Sequence, residues 1–187
     1  MLKPWKTLAQ MVLLDLKRFR ILQETVETGD GKVFDDYYII DRSDVVIIIP
    51  VTKGGRIVLV RQYKHGASKI ITEFPAGGVD GKEDREAAAK RELEEETGYV
   101  AERIEYIGRV LDNPTSQRNY KYIYIAWDAA AITKQQFDEK EQIETSEHAV
   151  KEVHDMLNDG TIEDAGCRAA GLLAFSLGKL KVKENEF

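Results

Sequence analysis

Four glutamates stand within five residues in the stretch GKEDREAAAKRELEEETGY, residues 81 to 99: Glu92, Glu94, Glu95 and Glu96. On a helix, at about 100° per residue, Glu92, Glu95 and Glu96 fall within an arc of about 100° while Glu94 points away. The far side carries Glu86, Lys90 and Glu94 at i, i+4 spacing, suited to ordinary ion pairs. The near side has Ala88 and Ala89 one turn before Glu92, so the Glu92–Glu95 and Glu92–Glu96 pairs are like-charge neighbours. Each such pair costs roughly 0.2–0.5 kcal/mol on an exposed helix, and Arg91 relieves Glu95 only in part. That cost is tolerable, so the spacing leaves two readings open, a solvated acidic face or a divalent-cation site. With oxygen ligands only and no Cys or His nearby, the second reading favours Mg²⁺ or Mn²⁺ over zinc. Its chemistry would be phosphoryl or pyrophosphoryl transfer to water.

Such a face needs elements to hold it. Asp84 suits a helix N-cap, Arg85 to Thr97 are good helix formers, and Gly98 suits the left-handed position just past the end. Before the helix, FPAGGVDG (residues 74–81) takes a strand end into a tight glycine-rich loop where backbone groups can approach a ligand. Upstream, residues 33–41, 45–51, 56–62 and 69–74 are rich in β-branched and aromatic residues and read as strands. Lys53-Gly54-Gly55 predicts a hairpin, and Gly29-Asp30-Gly31 a second one between a strand over 14–27 and the strand over 33–41. Downstream, strands are expected over 104–110 and 120–128, an acidic connection over 132–147, a helix from Thr145-Ser146-Glu147 to about Gly160, and a last helix from Ala165 to about Leu180.

Length and charge narrow the function further. The 187 residues, 43% hydrophobic and 32% charged, fit one globular domain over 1–187, with residues 1–41 as an N-terminal strand extension. No run approaches the roughly 20 apolar residues of a membrane span, so no membrane partner is expected. The start of the chain reads as mature sequence. A net charge of −6 argues against a broad nucleic-acid surface. The lone Cys167 forms no internal disulfide, reads as a buried apolar thiol and suits a cytoplasmic setting.

Gly77, Glu83, Arg91-Glu92, Leu93, Glu95-Glu96, Gly98 and Tyr99 fill every fixed position of the box of the Nudix hydrolases, and residues 77–99 closely resemble it. The last position is slightly loose, since an aliphatic residue is commoner there than Tyr99. The resemblance implies an α/β fold, an α/β/α sandwich around a mixed β-sheet. It implies that Glu92, Glu95 and Glu96, with the backbone carbonyl of Ala76, hold Mg²⁺ or Mn²⁺. Arg91 would orient the glutamates, and Glu83 would be mainly structural.

Outside the box, Arg61-Gln62-Tyr63 followed by Glu73-Phe74-Pro75-Ala76-Gly77 is similar to the RQYR…ELPAG arrangement of the ADP-ribose and nucleotide-sugar pyrophosphatases. Pro114, 16 residues beyond Gly98, and the segment 158–165 also resemble that branch. The loop after Pro114, Thr115-Ser116-Gln117-Arg118-Asn119, departs from it, which leaves ADP-ribose and GDP-mannose types open. The resemblance implies a general base on a later loop, with Glu139 and Glu141 as candidates and Glu95 as the alternative. Arg61, Glu73 and Arg118 are expected substrate contacts, and a homodimer through the N-terminal strands is implied. Two alternatives remain, a hydrolase of modified nucleoside triphosphates and a non-catalytic nucleotide-binding regulator.

Overall fold

Nearly uninterrupted β-branched and apolar residues in β4 (Val45–Thr52) and in the first half of β5 (Ile57–Lys64) leave six of the eight β4 residues buried. Such runs belong to strands covered on both faces. In the computed structural model, which describes residues 1–135 and 142–182, the chain divides into two compact units. One comprises Met1–Asp44 with Leu111–Tyr120; the other comprises Val45–Val110 with Lys121–Phe187.

The larger unit is built on an eight-stranded sheet. Around β4 and β5 stand β6 (Lys69–Glu73), β7 (Ala76–Gly78), β8 (Tyr99–Val100), β9 (Arg103–Leu111), β10 (Tyr120–Ala131) and β11 (Ile143–His148). The main path runs β11-β5-β4-β10-β8, with β6 on β5, β7 on β4 and β9 on β10. β4 and β10 are parallel and the other pairs of this path antiparallel, so the sheet is mixed. Ile47, Ile49, Val51, Leu59, Ile123 and Ile125 join Val153, Leu157, Ala170 and Ala174 of helices α2 (Val150–Asp159) and α3 (Ala165–Ser176) in one core. Strand alternation sends Val46 and Ile48 to the opposite face, where α1 (Arg85–Thr97) packs on β4 and β7 through Ala88, Ala89 and Leu93. Helices therefore cover both faces of a mixed sheet, the layered α/β arrangement expected from the sequence.

The smaller unit is an antiparallel sheet of β1 (Lys6–Asp15), β2 (Phe19–Glu27) and β3 (Val33–Arg42), in that order. The loop 111–120 is fastened to it. The Tyr37 hydroxyl donates to the Thr115 carbonyl at 2.7 Å, and the Ile40 N–H donates to the Ser116 carbonyl at 2.8 Å. Arg118 ion-pairs with Glu24, a carboxylate only 3% exposed, whose other oxygen receives the Thr7 hydroxyl at 3.4 Å.

Three expectations change. The strand expected over 14–27 is two strands broken near Leu16–Arg18, where the Leu16 N–H closes a turn on the Phe19 carbonyl at 3.0 Å. Thr145–His148 is strand, not helix start, because Thr145, Ser146 and Glu147 pair with Val60, Leu59 and Val58 of β5. The helix begins only at Val150, after the Glu152 carboxylate accepts the Ala149 N–H at 2.8 Å. The last helix stops at Ser176, because Gly178 takes φ +66 and the chain turns to return Lys179 and Leu180 N–H groups to the Ala174 carbonyl.

Arg118→Ala leaves the buried Glu24 carboxylate without its cation, at a cost of about 1–3 kcal/mol. In a Trp127→Phe background, Trp5 fluorescence during urea unfolding should report this loss. Adding Glu24→Leu should recover most of it; an unchanged midpoint in Arg118→Ala would contradict the pairing.

Candidate active site

Asp84 starts α1 as the sequence predicts. Its Oδ1 accepts the N–H groups of Glu86 at 2.9 Å and Ala87 at 3.2 Å. Gly98 ends the helix at φ +71, and its N–H bonds the Glu94 carbonyl. The helix lies on small residues, Ala88 and Ala89, so its axis can approach β4 and β7 closely. This brings Glu92 and Glu96 against the backbone of Ala76–Gly78, which β4 holds through the pairs Ile47–Ala76, Val46–Gly77 and Val45–Gly78.

Gly77 is required by this approach. A Cβ there would stand 2.0 Å from the Glu92 carboxyl carbon and 2.2 Å from both of its oxygens. The Glu92 carboxylate occupies the space a side chain would need. Glu96 is 6% exposed, and its Oε2 accepts the Ala76 N–H at 3.0 Å. Glu95 is more open, with 41% of its side chain exposed.

Arg91 spends its whole guanidinium on this region. It donates to both Glu83 oxygens at 3.0 Å, to Glu92 at 2.7 Å, to Glu95 at 3.0 Å and to the Gly78 carbonyl at 2.9 Å. All five donors of a guanidinium are thereby used. Glu83 in turn accepts the Asp80 N–H at 3.2 Å, so the pair also closes the loop before the helix. Arg91 is held far to the charged side, chiefly by Glu83, while Arg91 depresses Glu83. One positive charge thus serves three carboxylates and does not reach Glu96. Burial first, then the neighbouring Glu92 charge, raise the Glu96 carboxyl to about 8, against the lowering by the Ala76 N–H. The residues present fit a hard divalent cation: oxygen donors only, gathered around a backbone strand.

The other predicted residues make none of these contacts, although the Glu73 charge adds to the raised proton affinity of Glu96. Glu73 is buried and its proton affinity is raised, mainly by burial, while Lys64 at 3.2 Å pulls it down. It shares a pocket of polar groups with Asp164 and Cys167. Asp164 caps α3 through the Cys167 N–H at 2.8 Å and lies 3.8 Å from the Lys121 ammonium. With Lys64 and Lys121 beside it, that trio already has its counter-charges. Arg61 is on the exposed side of β5, 3.4 Å from Glu144. Arg118 belongs to the smaller unit and is engaged by Glu24. Glu139 and Glu141 lie outside the described residues. Lys64 was missed by the sequence reading although it fills the last position of the RQYR-like run. Its charge acts on both Glu73 and Glu96.

A family model described as NUDIX domain matches residues 41–166, and the chain belongs to the Nudix family; with its box intact it is a Nudix hydrolase. Within that class it is similar to an ADP-ribose pyrophosphatase of Bacillus subtilis, 28% identical over 96% of this chain and 94% of that protein. It is 30% identical to a methanol dehydrogenase activator of Bacillus methanolicus over 86% of each chain. A solved ADP compounds hydrolase shares the fold, with a TM-score of 0.82 at 22% identity over 96% of both chains. The full-length likeness supports the ADP-ribose pyrophosphatase branch.

Between the ordinary carboxyl value and about 8, folded Glu96 retains a proton that the unfolded chain has released. Metal-free stability therefore falls as pH rises through that window. In EDTA, Glu96→Gln should melt above the parent at pH 8, with the difference shrinking toward pH 5. A difference independent of pH would contradict the raised value.

Proposed function

We propose that the chain hydrolyses the pyrophosphate bond of nucleoside diphosphate sugars, of the ADP-ribose or GDP-mannose type, to a nucleoside monophosphate and a sugar phosphate. The observation that carries this reading is the seat of Glu92 on Gly77 beside the buried Glu96 carboxyl. The likeness to the Bacillus subtilis ADP-ribose pyrophosphatase supports the substrate class.

Glu92, Glu95, Glu96 and the Ala76 carbonyl would hold the cation, Mg²⁺ or Mn²⁺. When bound, it neutralises pyrophosphate oxygens and lowers the pKa of water. Arg91 positions Glu92 and Glu95 by direct hydrogen bonds, so their oxygens need not reorganise when substrate arrives. Glu139 and Glu141 are the proposed bases for the attacking water, with Glu95, the most open of the three box glutamates, as the alternative. Arg61 offers an exposed guanidinium to phosphate or sugar. Glu73 is assigned as an acceptor for a substrate hydroxyl, and Arg118 as a further substrate contact.

A homodimer through the N-terminal strands accompanies this reading. β1 is exposed along its whole length and carries Leu8, Met11, Val12, Leu13 and Leu14. An apolar edge strand of this kind calls for cover, and a second copy would supply it. Among the described residues no helix is long and apolar enough to cross a membrane. Cys167 is a buried free thiol, which suits the reducing cytoplasm we assign.

Incubation with Mg²⁺ and ADP-ribose, GDP-mannose, UDP-glucose, ADP-glucose and the nucleoside triphosphates should release nucleoside monophosphate from the sugar diphosphates. Glu96→Gln should slow this by about 10²–10³-fold. Turnover of triphosphates alone would transfer the chain to the modified-nucleotide hydrolases, and binding without turnover would make it a regulator. Gly77→Ala, which drives a methyl into the Glu92 carboxylate, should lower activity by about 10–100-fold. Retention of full activity in Gly77→Ala would overturn the role given to that seat.

A further inference from the structure

We propose that Gln135 is a positioning residue for the carboxylate face, acting through the main chain of Glu96. The proposal rests on the reading that this face holds a divalent cation.

The last four carbonyls of a helix have no partner within it. In α1 the Glu94 carbonyl is taken by the Gly98 N–H at 2.8 Å. The segment after β10 brings an outside donor to one of the others, Glu96, and three more to the carbonyl of Gly98 just past the helix end. The Gly98 carbonyl accepts the Ile132 N–H at 3.1 Å, the Thr133 N–H at 3.2 Å and the Thr133 hydroxyl at 3.2 Å. The Glu96 carbonyl accepts the Gln135 Nε2 at 2.7 Å. The same Nε2 donates to the Thr145 hydroxyl oxygen at 2.7 Å. A carboxamide nitrogen carries two hydrogens, and both are used. The nitrogen is the end that must face Glu96, because a main-chain carbonyl only accepts.

Thr145 is fixed in turn by β11, which pairs with β5 at Val60. One side chain therefore ties the end of the helix to the main sheet. Gly98 reinforces the join: besides φ +71, a Cβ there would lie 2.6 Å from the Thr133 carbonyl oxygen, so no side chain fits between the helix end and this segment.

Glu96 is consequently held at both ends. Its carboxylate is held by the Ala76 N–H and its main chain by Gln135. Without Gln135 the last helical turn loses its outside donor at the residue whose carboxylate must meet a cation. Misplacement of a reacting group by about 1 Å is enough to cost a large factor in rate.

The test uses Mn²⁺ binding by electron paramagnetic resonance without substrate, alongside kcat, KM and metal-free melting, for Gln135→Met, Thr145→Val, Thr145→Ser and Glu96→Gln. Gln135→Met keeps the length and removes both donors. It should weaken Mn²⁺ binding and lower kcat by about 10-fold each, with KM within about twofold of the parent. Thr145→Val should weaken Mn²⁺ binding less, and Thr145→Ser, which keeps the acceptor, should restore it. Parent-like Mn²⁺ binding in Gln135→Met would overturn the proposal, even if the variant melts lower. If Gln135→Met fails to fold, the Thr145 pair decides: equal binding by Thr145→Val and Thr145→Ser would overturn it. Parent-like binding in Glu96→Gln would instead remove the cation reading itself, and the proposal with it.

Discussion

The burial of one carboxyl group, Glu96, beside a second, Glu92, governs the site in the larger unit. Arg91 makes five hydrogen bonds, none of them to Glu96, and the Lys64 charge offsets the burial of Glu96 only in part. Taking a carboxylate out of water without a cation is costly, and the usual relief is to take up a proton. A carboxyl raised to about 8 is in that condition. A divalent cation offers the other relief, and it exchanges the proton for a charge that can be used on phosphate. The raised proton affinity and the proposed cation site are two consequences of one burial.

Much of the local architecture follows from keeping those oxygens close to a strand. Ala88 and Ala89 let α1 descend on β4 and β7. Gly77 clears room for Glu92, and Gly98 clears room for the Thr133 carbonyl at the other end. Both glycines are box positions, and both are there for close approach as well as for backbone shape. Glu83 belongs to the same logic: it consumes part of the Arg91 charge while fixing the loop from Gly78 to Glu83, so the guanidinium orients Glu92 and Glu95 without cancelling them.

The helix and its caps were legible because they depend on local chemistry: Asp84 at the start, Gly98 at the end and a three-acid face between. The strands from Val45 to Glu73 were legible from β-branched runs. The Thr145–His148 segment was not, since its polar residues form a strand only by pairing with β5. The break near Leu16–Arg18 rests on a turn without glycine or proline and left little trace in composition. Around the site, spacing placed three acids on one helix face and only the box resemblance pointed to a cation, whereas Gln135 and Lys64 act through contacts with residues distant in sequence. The ion pair of Arg118 with the buried Glu24 left no trace in the sequence either, because no spacing rule connects residues that far apart.

An anomalous difference map from crystals soaked in Mn²⁺ tests most directly whether these buried carboxylates await a cation. The account predicts a peak bounded by the Glu92 and Glu96 carboxylates and the Ala76 carbonyl. A map with no peak there, or with Mn²⁺ only beside Glu73, Asp164 and Cys167, would contradict it.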